Sequence, residues 1–307
     1  MPKIIRIGTR DSELALWQAN NVKDQLDNLG YETELVSVKS TGDLVLDKPL
    51  YEMGITGIFT KTLDVAMING GVDIAVHSMK DVPTQLPKGI IQAAVLKRAA
   101  TDDILVHKPG LNLNKELKNQ QTIATGSLRR KAQWLNRFPD HKVVDLRGNV
   151  NTRLQKLEDS DWLGAIFAKA GLERIDLKPE NHIALDWMIP APAQGAMVIA
   201  AMQNDKFCVD ACAKLNDAES EVTTRVEREF LRELEGGCTA PIGALAKIED
   251  QKIHFKGALF SLDGKQKVMV EKTIDLNKNY QFGRKCALEI LENGGREMMR
   301  KIKKVLS

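Results

Sequence analysis

The chain of 307 residues lacks the features that define several classes of protein. Its four cysteines are too sparse for a disulfide scaffold and lack the paired CxxC spacing of a zinc site. No apolar run approaches the roughly 18 residues of a membrane span, and the start lacks the apolar core of a secretory signal. We therefore expect a cytoplasmic protein with reduced thiols, no membrane partner and no metal.

The chain also has little excess of positive over negative charge, since the formal net charge is only +3. Such a balance gives no global field to attract nucleic acid, so we expect no nucleic-acid partner, and any affinity for anions must come from local clusters of arginine. What is present, 43% hydrophobic and 28% charged residues, is typical of a globular chain of two or three domains.

The first two thirds alternate short apolar runs with helical patterns, which predicts βαβ units and a mainly parallel sheet. In the first unit we predict strands over residues 4–8, 34–38, 74–77 and 90–96, with helices over 14–29 and 61–68. In the second we predict strands over 122–125, 142–146 and 164–168, with helices over 128–138 and 152–157. Both units open alike, because a strand that ends in Thr leads to a serine at a helix N-cap, Ser12 or Ser127.

The last third has a different pattern. Asp263-Gly264 between two β runs predicts a hairpin, and the final helix, residues 280–306, is interrupted at Gly294-Gly295. The predicted fold class is therefore α/β, with two doubly wound domains and a smaller C-terminal α+β domain. The predicted domains are residues 1–98 with 197–216, residues 99–196, and residues 217–307.

Two helix starts are candidate anion sites. Free backbone N–H groups and the helix dipole favour negative charge at a helix N-terminus. Arg10 with Ser12, and Ser127 with Arg129 and Arg130, add guanidinium forks and hydroxyl donors that suit carboxylates. For either site, the alternative is an ordinary capped helix with surface arginines.

A third arginine-rich segment follows the predicted strand that ends at Leu146. Arg147 precedes a turn at Gly148, and Arg153 falls in the first turn of the next helix, where a cation opposes the dipole. An anionic ligand would explain this placement, and a salt bridge from Arg153 to Asp145 or Glu158 would explain it equally well.

The segment from His77 to Pro83 leads from an apolar strand into a polar loop, the place where ligands bind in open α/β sheets. Asp81 is the candidate for acid–base work or for stabilising a cation, and the alternative is a carboxylate that pairs with Lys80 or caps a turn. We predict that His77 is a packed residue at a strand end, because no second metal ligand lies nearby.

Cys238 lies in the glycine-rich segment Glu235-Gly236-Gly237-Cys238-Thr239, after a predicted helix over residues 219–235. The glycines permit close approach of a bulky group to the sulfur, whereas a small buried cysteine is the alternative. Cys208, Cys212 and Cys286 lie in helical patterns, and we predict that all three are core residues.

Six segments occur in the order seen in the porphobilinogen deaminases, also called hydroxymethylbilane synthases, and the sequence resembles that family from residue 4 to about residue 243. The segments are TRDSELALWQA, HSMKDVP, GSLRR, LRGNV, AGLERI and LEGGCTAPIG. The resemblance implies two domains like those of periplasmic binding proteins around a cleft, and a third domain whose cysteine carries a dipyrromethane cofactor through a thioether. It also implies a transferase that joins four porphobilinogen molecules into linear hydroxymethylbilane, with loss of ammonia, for haem and other tetrapyrrole biosynthesis.

The resemblance also implies roles for single residues. Cys238 matches the cofactor attachment site, Asp81 the catalytic aspartate, and Arg147 could assist proton delivery to the leaving amino group. The implied cofactor contacts are Lys80, Asp81, Thr125, Ser127, Arg129 and Arg130, and the implied substrate contacts are Arg10, Ser12, Arg147, Arg153 and Arg174. The chain departs from the family pattern at Thr56, Thr62, Lys169, Ala193 and Ala200, which bear on the lid and hinge more than on the activity.

Two other functions are compatible with parts of this pattern. A noncatalytic protein that binds an amino acid or an oxyanion would also use paired α/β domains, but the third domain with its cysteine disfavours it. A cysteine-dependent acyl transferase would need a base near the thiol, and no histidine lies near Cys238 in the sequence. We expect a monomer, because nothing in the sequence requires an interface.

Overall fold

The computed structural model describes residues 3–39, 60–234 and 240–306. In chain order the strands are β1 (Ile5–Thr9), β2 (Thr33–Ser37), β3 (Ile74–Ser78), β4 (Ile90–Val95), β5 (Asp103–His107), β6 (Thr122–Ala124), β7 (Lys142–Val144), β8 (Gly164–Ala168), β9 (His182–Ala184), β10 (Met197–Met202), β11 (Ile242–Glu249), β12 (Lys252–Phe260) and β13 (Lys267–Asp275). The helices are α1 (Glu13–Asn28), α2 (Lys61–Ile68), α3 (Leu113–Glu116), α4 (Leu128–Arg137), α5 (Val150–Glu158), α6 (Lys169–Glu173), α7 (Lys206–Ala213), α8 (Ala218–Glu233), α9 (Phe282–Ile290) and α10 (Arg296–Leu306).

The described residues separate into two compact units. Unit 1 contains residues 3–39, 60–99 and 195–222, and unit 2 contains residues 100–194, 223–234 and 240–306. The three predicted domain ranges, including the division of residues 99–196 from residues 217–307, stay a prediction.

Unit 1 is built on a five-stranded sheet in the order β2-β1-β3-β10-β4. β1 pairs in parallel with β2 and β3, whereas β10 is antiparallel to both β3 and β4. The sheet is therefore mixed: β10 runs against the other four strands, and the prediction of a mainly parallel sheet did not foresee its two antiparallel pairings. β10 follows residues 100–194 in the chain and not a crossover helix, so the rule that makes βαβ strands parallel does not apply to it.

Both faces of the unit 1 sheet are covered. Ile74 and Val76 of β3 lie in one apolar cluster with residues of α1 and α7. Ala75, which points to the other face, packs in a second cluster with residues of α2. Burial on both faces explains why these strands are almost continuously apolar and why the sequence revealed them.

Unit 2 repeats this arrangement in a second five-stranded sheet, ordered β7-β6-β8-β5-β9. β6 is parallel to β7 and β8, whereas β5 is antiparallel to β8 and β9. Trp134 of α4 is completely buried against this sheet. The two units share one strand arrangement, which confirms the predicted α/β fold class with two doubly wound parts.

The C-terminal part of unit 2 is an antiparallel sheet, β11-β12-β13, and its core includes the edge-to-face ring pair of Phe230 and Phe255. The predicted hairpin is confirmed, with Gly264 at φ +73° in its turn. This turn sits on α4: the Asn136 side chain donates a 2.7 Å hydrogen bond to the Gly264 carbonyl. A Cβ at Gly264 would lie 2.4 Å from the Ala132 carbonyl oxygen, so only glycine fits here.

Candidate functional site

The carboxyl ends of β6, β7 and β8 meet at one edge of the unit 2 sheet, because the three strands are parallel neighbours. Every candidate site residue of unit 2 follows one of these strands. We call this set the unit 2 edge: Thr125, Ser127, Arg129, Arg130, Arg147, Arg153 and Arg174.

The turns after β6 and β7 touch each other. A Cβ at Gly126 would lie 2.5 Å from the Leu146 carbonyl oxygen, so the turn that carries Ser127 packs directly on the backbone before Arg147. Ser127 caps α4 as predicted, since its hydroxyl accepts a hydrogen bond from the Arg130 N–H. The helix N-terminus and Arg147 therefore belong to one edge.

Arg129 and Arg130 are buried and share one carboxylate, that of Asp103 in β5. Arg129 Nη1 lies 2.7 Å from Asp103 Oδ2, and Arg130 Nη2 lies 2.8 Å from Oδ1. Asp103 is 0% exposed, and the Gln194 amide also donates to it, at 3.0 Å. Burial alone would raise the pKa of Asp103, but the two guanidinium charges hold it well below its usual range.

Arg147 is 7% exposed, and its Nε has no hydrogen-bond partner. Arg129 Nε, at the same edge, is also buried without a partner. Leaving a buried donor of a charged group unpaired costs about 1–3 kcal/mol or more, so such a donor calls for an explanation, and a bound anion is one. These two atoms are the strongest sign in the described residues of a carboxylate ligand.

Arg153 and Arg174 complete the unit 2 edge. Arg153 lies in the first turn of α5, where its Nε donates to the Gly148 carbonyl at 2.7 Å. Arg174 follows α6 and is half-buried, and burial lowers its pKa to about 10. Arg174 thus keeps its positive charge at neutral pH.

The carboxyl ends of β1 and β3 form the equivalent edge of unit 1, because these two strands are parallel neighbours. Arg10 and Ser12 follow β1, and Lys80 and Asp81 lie in a 3-10 turn, Met79–Asp81, directly after β3. We call these four residues the unit 1 edge. Ser12 occupies the predicted N-cap position of α1, but its hydroxyl makes no capping hydrogen bond to the helix backbone.

Two buried side chains, Gln18 and His77, support the unit 1 edge. Gln18 of α1 is buried, and its amide donates a 2.8 Å hydrogen bond to Ser78 Oγ, which ties α1 to the end of β3. His77 is buried in β3, as predicted, and burial together with the nearby Arg10 charge lowers its pKa to about 4. A neutral imidazole therefore lies beside the turn that carries Asp81.

Cys238 and Thr56 lie outside the described residues. The other three cysteines are buried, as predicted. Burial raises the pKa of Cys208 and Cys212 to about 12 and that of Cys286 to about 11, so these thiols stay protonated and inert.

Within the described ranges, no three His, Cys, Asp or Glu side chains are grouped as a metal site would require. No helix in the same ranges combines the length and the apolar character needed to cross a membrane.

Sequence reasoning missed Asp103, Gln18 and Gln194. One signal for Asp103 was present: two adjacent arginines in the first turn of a helix oppose its dipole and need a counter-charge. The two aspartates just before the apolar run at residues 104–106 were candidates for it. Nothing in the local pattern marked Gln18 or Gln194, because their partners lie 60 and 91 residues away.

Two family models match the chain. The model described as "Porphobilinogen deaminase, dipyromethane cofactor binding domain" matches residues 5–210, and that described as "Porphobilinogen deaminase, C-terminal domain" matches residues 222–292. The chain is 38% identical to the porphobilinogen deaminase of Chlorobium phaeobacteroides over 99% of both chains. It is 39% identical to that of Campylobacter fetus, over 98% of this chain and 99% of the relative.

Among solved structures, an ancestral cationic amino acid solute binding protein aligns with a TM-score of 0.42 at 16% identity, over 74% of this chain and 94% of that one. The matched cofactor-binding model and the named relatives define a transferase of a family whose model describes a dipyrromethane cofactor binding domain. The chain belongs to the porphobilinogen deaminase family.

Proposed function

We propose that this protein is an active porphobilinogen deaminase, which converts four porphobilinogen molecules and one water into hydroxymethylbilane and four molecules of ammonia. The observation that supports this most directly is the unit 2 edge, where Arg129 and Arg147 each keep a buried N–H without a partner. Porphobilinogen and its oligomers carry an acetate and a propionate on every ring, and guanidinium groups bind carboxylates through paired hydrogen bonds.

The donors of the unit 2 edge fit a dipyrromethane cofactor. They are guanidinium groups, the hydroxyls of Thr125 and Ser127, and the N-terminus of α4, all of which favour anions. In this proposal Cys238 holds the cofactor through a thioether, and Lys80, Asp81, Thr125, Ser127, Arg129 and Arg130 bind it. When bound, the cofactor supplies the pyrrole carbon to which the first substrate ring is joined.

The remaining roles belong to substrate binding and proton transfer. Arg10, Ser12, Arg147, Arg153 and Arg174 bind the substrate carboxylates. Loss of ammonia from porphobilinogen leaves a cationic pyrrole, and the Asp81 carboxylate stabilises this cation and accepts the proton that ring coupling releases. Arg147 assists proton delivery to the leaving amino group, and we assign it a catalytic role beside Asp81.

We further infer that the protein acts in the cytoplasm as a monomer on a small molecule, without a nucleic-acid or membrane partner. The formal net charge of +3 supports the absence of a nucleic-acid partner, since it gives no broad field for a polyanion.

Intact-mass measurement of the purified protein tests the proposal. The expected result is an adduct of two linked pyrroles on the wild-type chain, and loss of both the adduct and porphobilinogen consumption in Cys238→Ser. Cys286→Ser is the matched control, because this buried thiol lies in α9 and should change stability without changing the adduct.

Two results would contradict the proposal. A wild-type chain that binds porphobilinogen but carries no adduct would be a binding protein. A Cys238→Ser protein that keeps the adduct would place the cofactor on another group.

A further inference from the structure

Ala193 has a backbone conformation that alanine rarely adopts. Its φ is +63°, in the left-handed region, and its side chain is completely buried. This region is disfavoured for every residue except glycine, because the Cβ crowds the following carbonyl oxygen. Ala193 is also one of the positions at which the chain departs from the family pattern. Its surroundings must therefore impose this conformation.

The Glu227 side chain of α8 supplies that restraint. It is 0% exposed, and its Oε2 accepts a 2.6 Å hydrogen bond from the Ala193 N–H. Its Oε1 accepts a 2.7 Å hydrogen bond from the Ala246 N–H in β11. Hydrogen bonds to a carboxylate are stronger than those between neutral groups, and burial strengthens them further. One side chain thus fixes two separate backbone segments.

The same hydrogen bonds join the chain on either side of Cys238. α8 ends at Glu233, before the cysteine, and β11 begins at Ile242, after it. The bond from Ala246 to Glu227 therefore ties the described residues that precede Cys238 to those that follow it.

The segment over residues 189–194 is the third part of this contact. The Ala244 N–H in β11 donates to the Pro190 carbonyl at 3.0 Å. The Gln194 amide donates at 3.0 Å to Asp103, the carboxylate that bonds two arginines of the unit 2 edge. All of these residues belong to unit 2. One segment therefore holds both β11 and the support of the unit 2 edge.

Resting on the proposed function, we propose that Glu227 is a positioning residue for the cofactor. It holds the chain before and after Cys238 together and fixes it to the strained backbone at Ala193. The cysteine is thereby presented to the carboxylate-binding side chains of the unit 2 edge in one arrangement. Glu227 touches neither cofactor nor substrate in this role and acts through the backbone.

Substitution of Glu227 by glutamine tests this role. Glu227→Gln keeps the size of the side chain but places an amide NH₂ group where one oxygen accepted a hydrogen bond, so one backbone N–H loses its acceptor. The melting temperature should fall by several degrees. The fraction of purified, folded protein that carries the adduct, read by intact mass, should fall at least tenfold.

Glu229→Gln is the matched control on the same helix. The Glu229 carboxylate accepts a 3.2 Å hydrogen bond from the Gly283 N–H and pairs with Arg225 at 3.1 Å, so it links α8 to the start of α9. This variant should also lower the melting temperature, but the folded protein should keep the adduct.

A double variant separates positioning from stability. Glycine adopts the left-handed region without strain, so Ala193→Gly added to Glu227→Gln should return part of the lost melting temperature. If Glu227 positions the cysteine, the adduct fraction stays low although stability recovers. The double variant also carries the test if Glu227→Gln alone is too unstable to purify.

Three outcomes would overturn this inference. A wild-type level of adduct in Glu227→Gln, or an equal loss of adduct in Glu229→Gln, would show that Glu227 has no special part in holding the cofactor. Recovery of the adduct together with stability in the double variant would show that Glu227 is only structural. A wild-type chain without any adduct would reject the proposed function itself, and it is distinguishable because the other three results all require adduct on the wild-type chain.

Discussion

The unit 1 and unit 2 edges follow equivalent strands of two similar sheets, but their charges have different surroundings. At the unit 2 edge Arg129 and Arg130 are buried and bound to Asp103. At the unit 1 edge Lys80 and Asp81 are half-buried within a single 3-10 turn. Buried paired groups keep one geometry, which suits holding a ligand, whereas half-buried groups in a turn can reach a substrate, which suits reaction.

The largest effect on turnover should come from removing the Asp81 carboxylate at the unit 1 edge. Asp81→Asn keeps the shape of the side chain but cannot stabilise a cation or accept a proton, so turnover should fall about 100- to 10,000-fold. The cofactor adduct and the melting temperature should stay near wild type. Asp24→Asn on the exposed side of α1 is the matched control, and comparable turnover in the two variants would remove Asp81 from the mechanism.

A single methyl group added at Gly126 should disrupt the unit 2 edge. In Gly126→Ala the new Cβ would meet the Leu146 carbonyl oxygen at 2.5 Å, so the contact between the two turns must open. We expect the unfolding free energy, measured in urea, to fall by about 1–3 kcal/mol and the adduct fraction to fall with it. Gly71→Ala, whose Cβ would lie 3.4 Å from its nearest neighbour, is the control. Equal losses would argue against the packed turns.

Arg147 tests the comparison between the two edges, because it lies at the unit 2 edge and we also assign it a part in the reaction. Arg147→Lys should lower turnover about tenfold, or about 1.4 kcal/mol in the barrier, while the cofactor stays attached. The control is Arg137→Lys at the far end of α4, where the guanidinium stacks on Trp187. An unchanged rate in Arg147→Lys would confine Arg147 to binding.

The last prediction concerns pH, and its effect is the smallest at neutral pH, because it develops only in acid. Burial lowers the pKa of His77 to about 4, below the ordinary value of 6.5, so between these values the unfolded chain binds a proton that the folded chain does not. Stability is then complete above about pH 6.5 and falls towards pH 4, by at most about 1.4 kcal/mol per pH unit for this residue. His77→Gln should flatten the slope of unfolding free energy against pH, and an unchanged slope would assign the dependence to other groups.

Sequence predicted best what depends on local pattern. The bounds of α2 and β8 match the predicted ranges, and Ser127 caps α4 as expected, because apolar periodicity and capping are properties of neighbouring residues. β10 was missed because MVIAAM is apolar throughout, and such a short run has no period that separates strand from helix. Its direction depends on its pairing with β3 and β4, which lie far earlier in the chain.

The site was predictable in part for the same reason. Sequence placed the arginines and Asp81 at strand ends, since that follows from the order of strands and loops. It could not show that an aspartate at the start of β5 is completely buried, because that burial depends on the two guanidinium groups from α4, 26 and 27 residues later. Ser12 teaches the converse, because it has the right position and a hydroxyl that does not cap.

The hairpin turn at Gly264 has a consequence for exchanging parts between relatives. Its seat on α4 is formed by the backbone at Ala132 and by the Asn136 side chain, while the turn itself comes from the C-terminal sheet. A chimaera that takes its C-terminal third from another family member would carry this turn without the matching surface of α4. In such a hybrid both sides of the contact must be exchanged together if α4, which carries Arg129, is to keep its support.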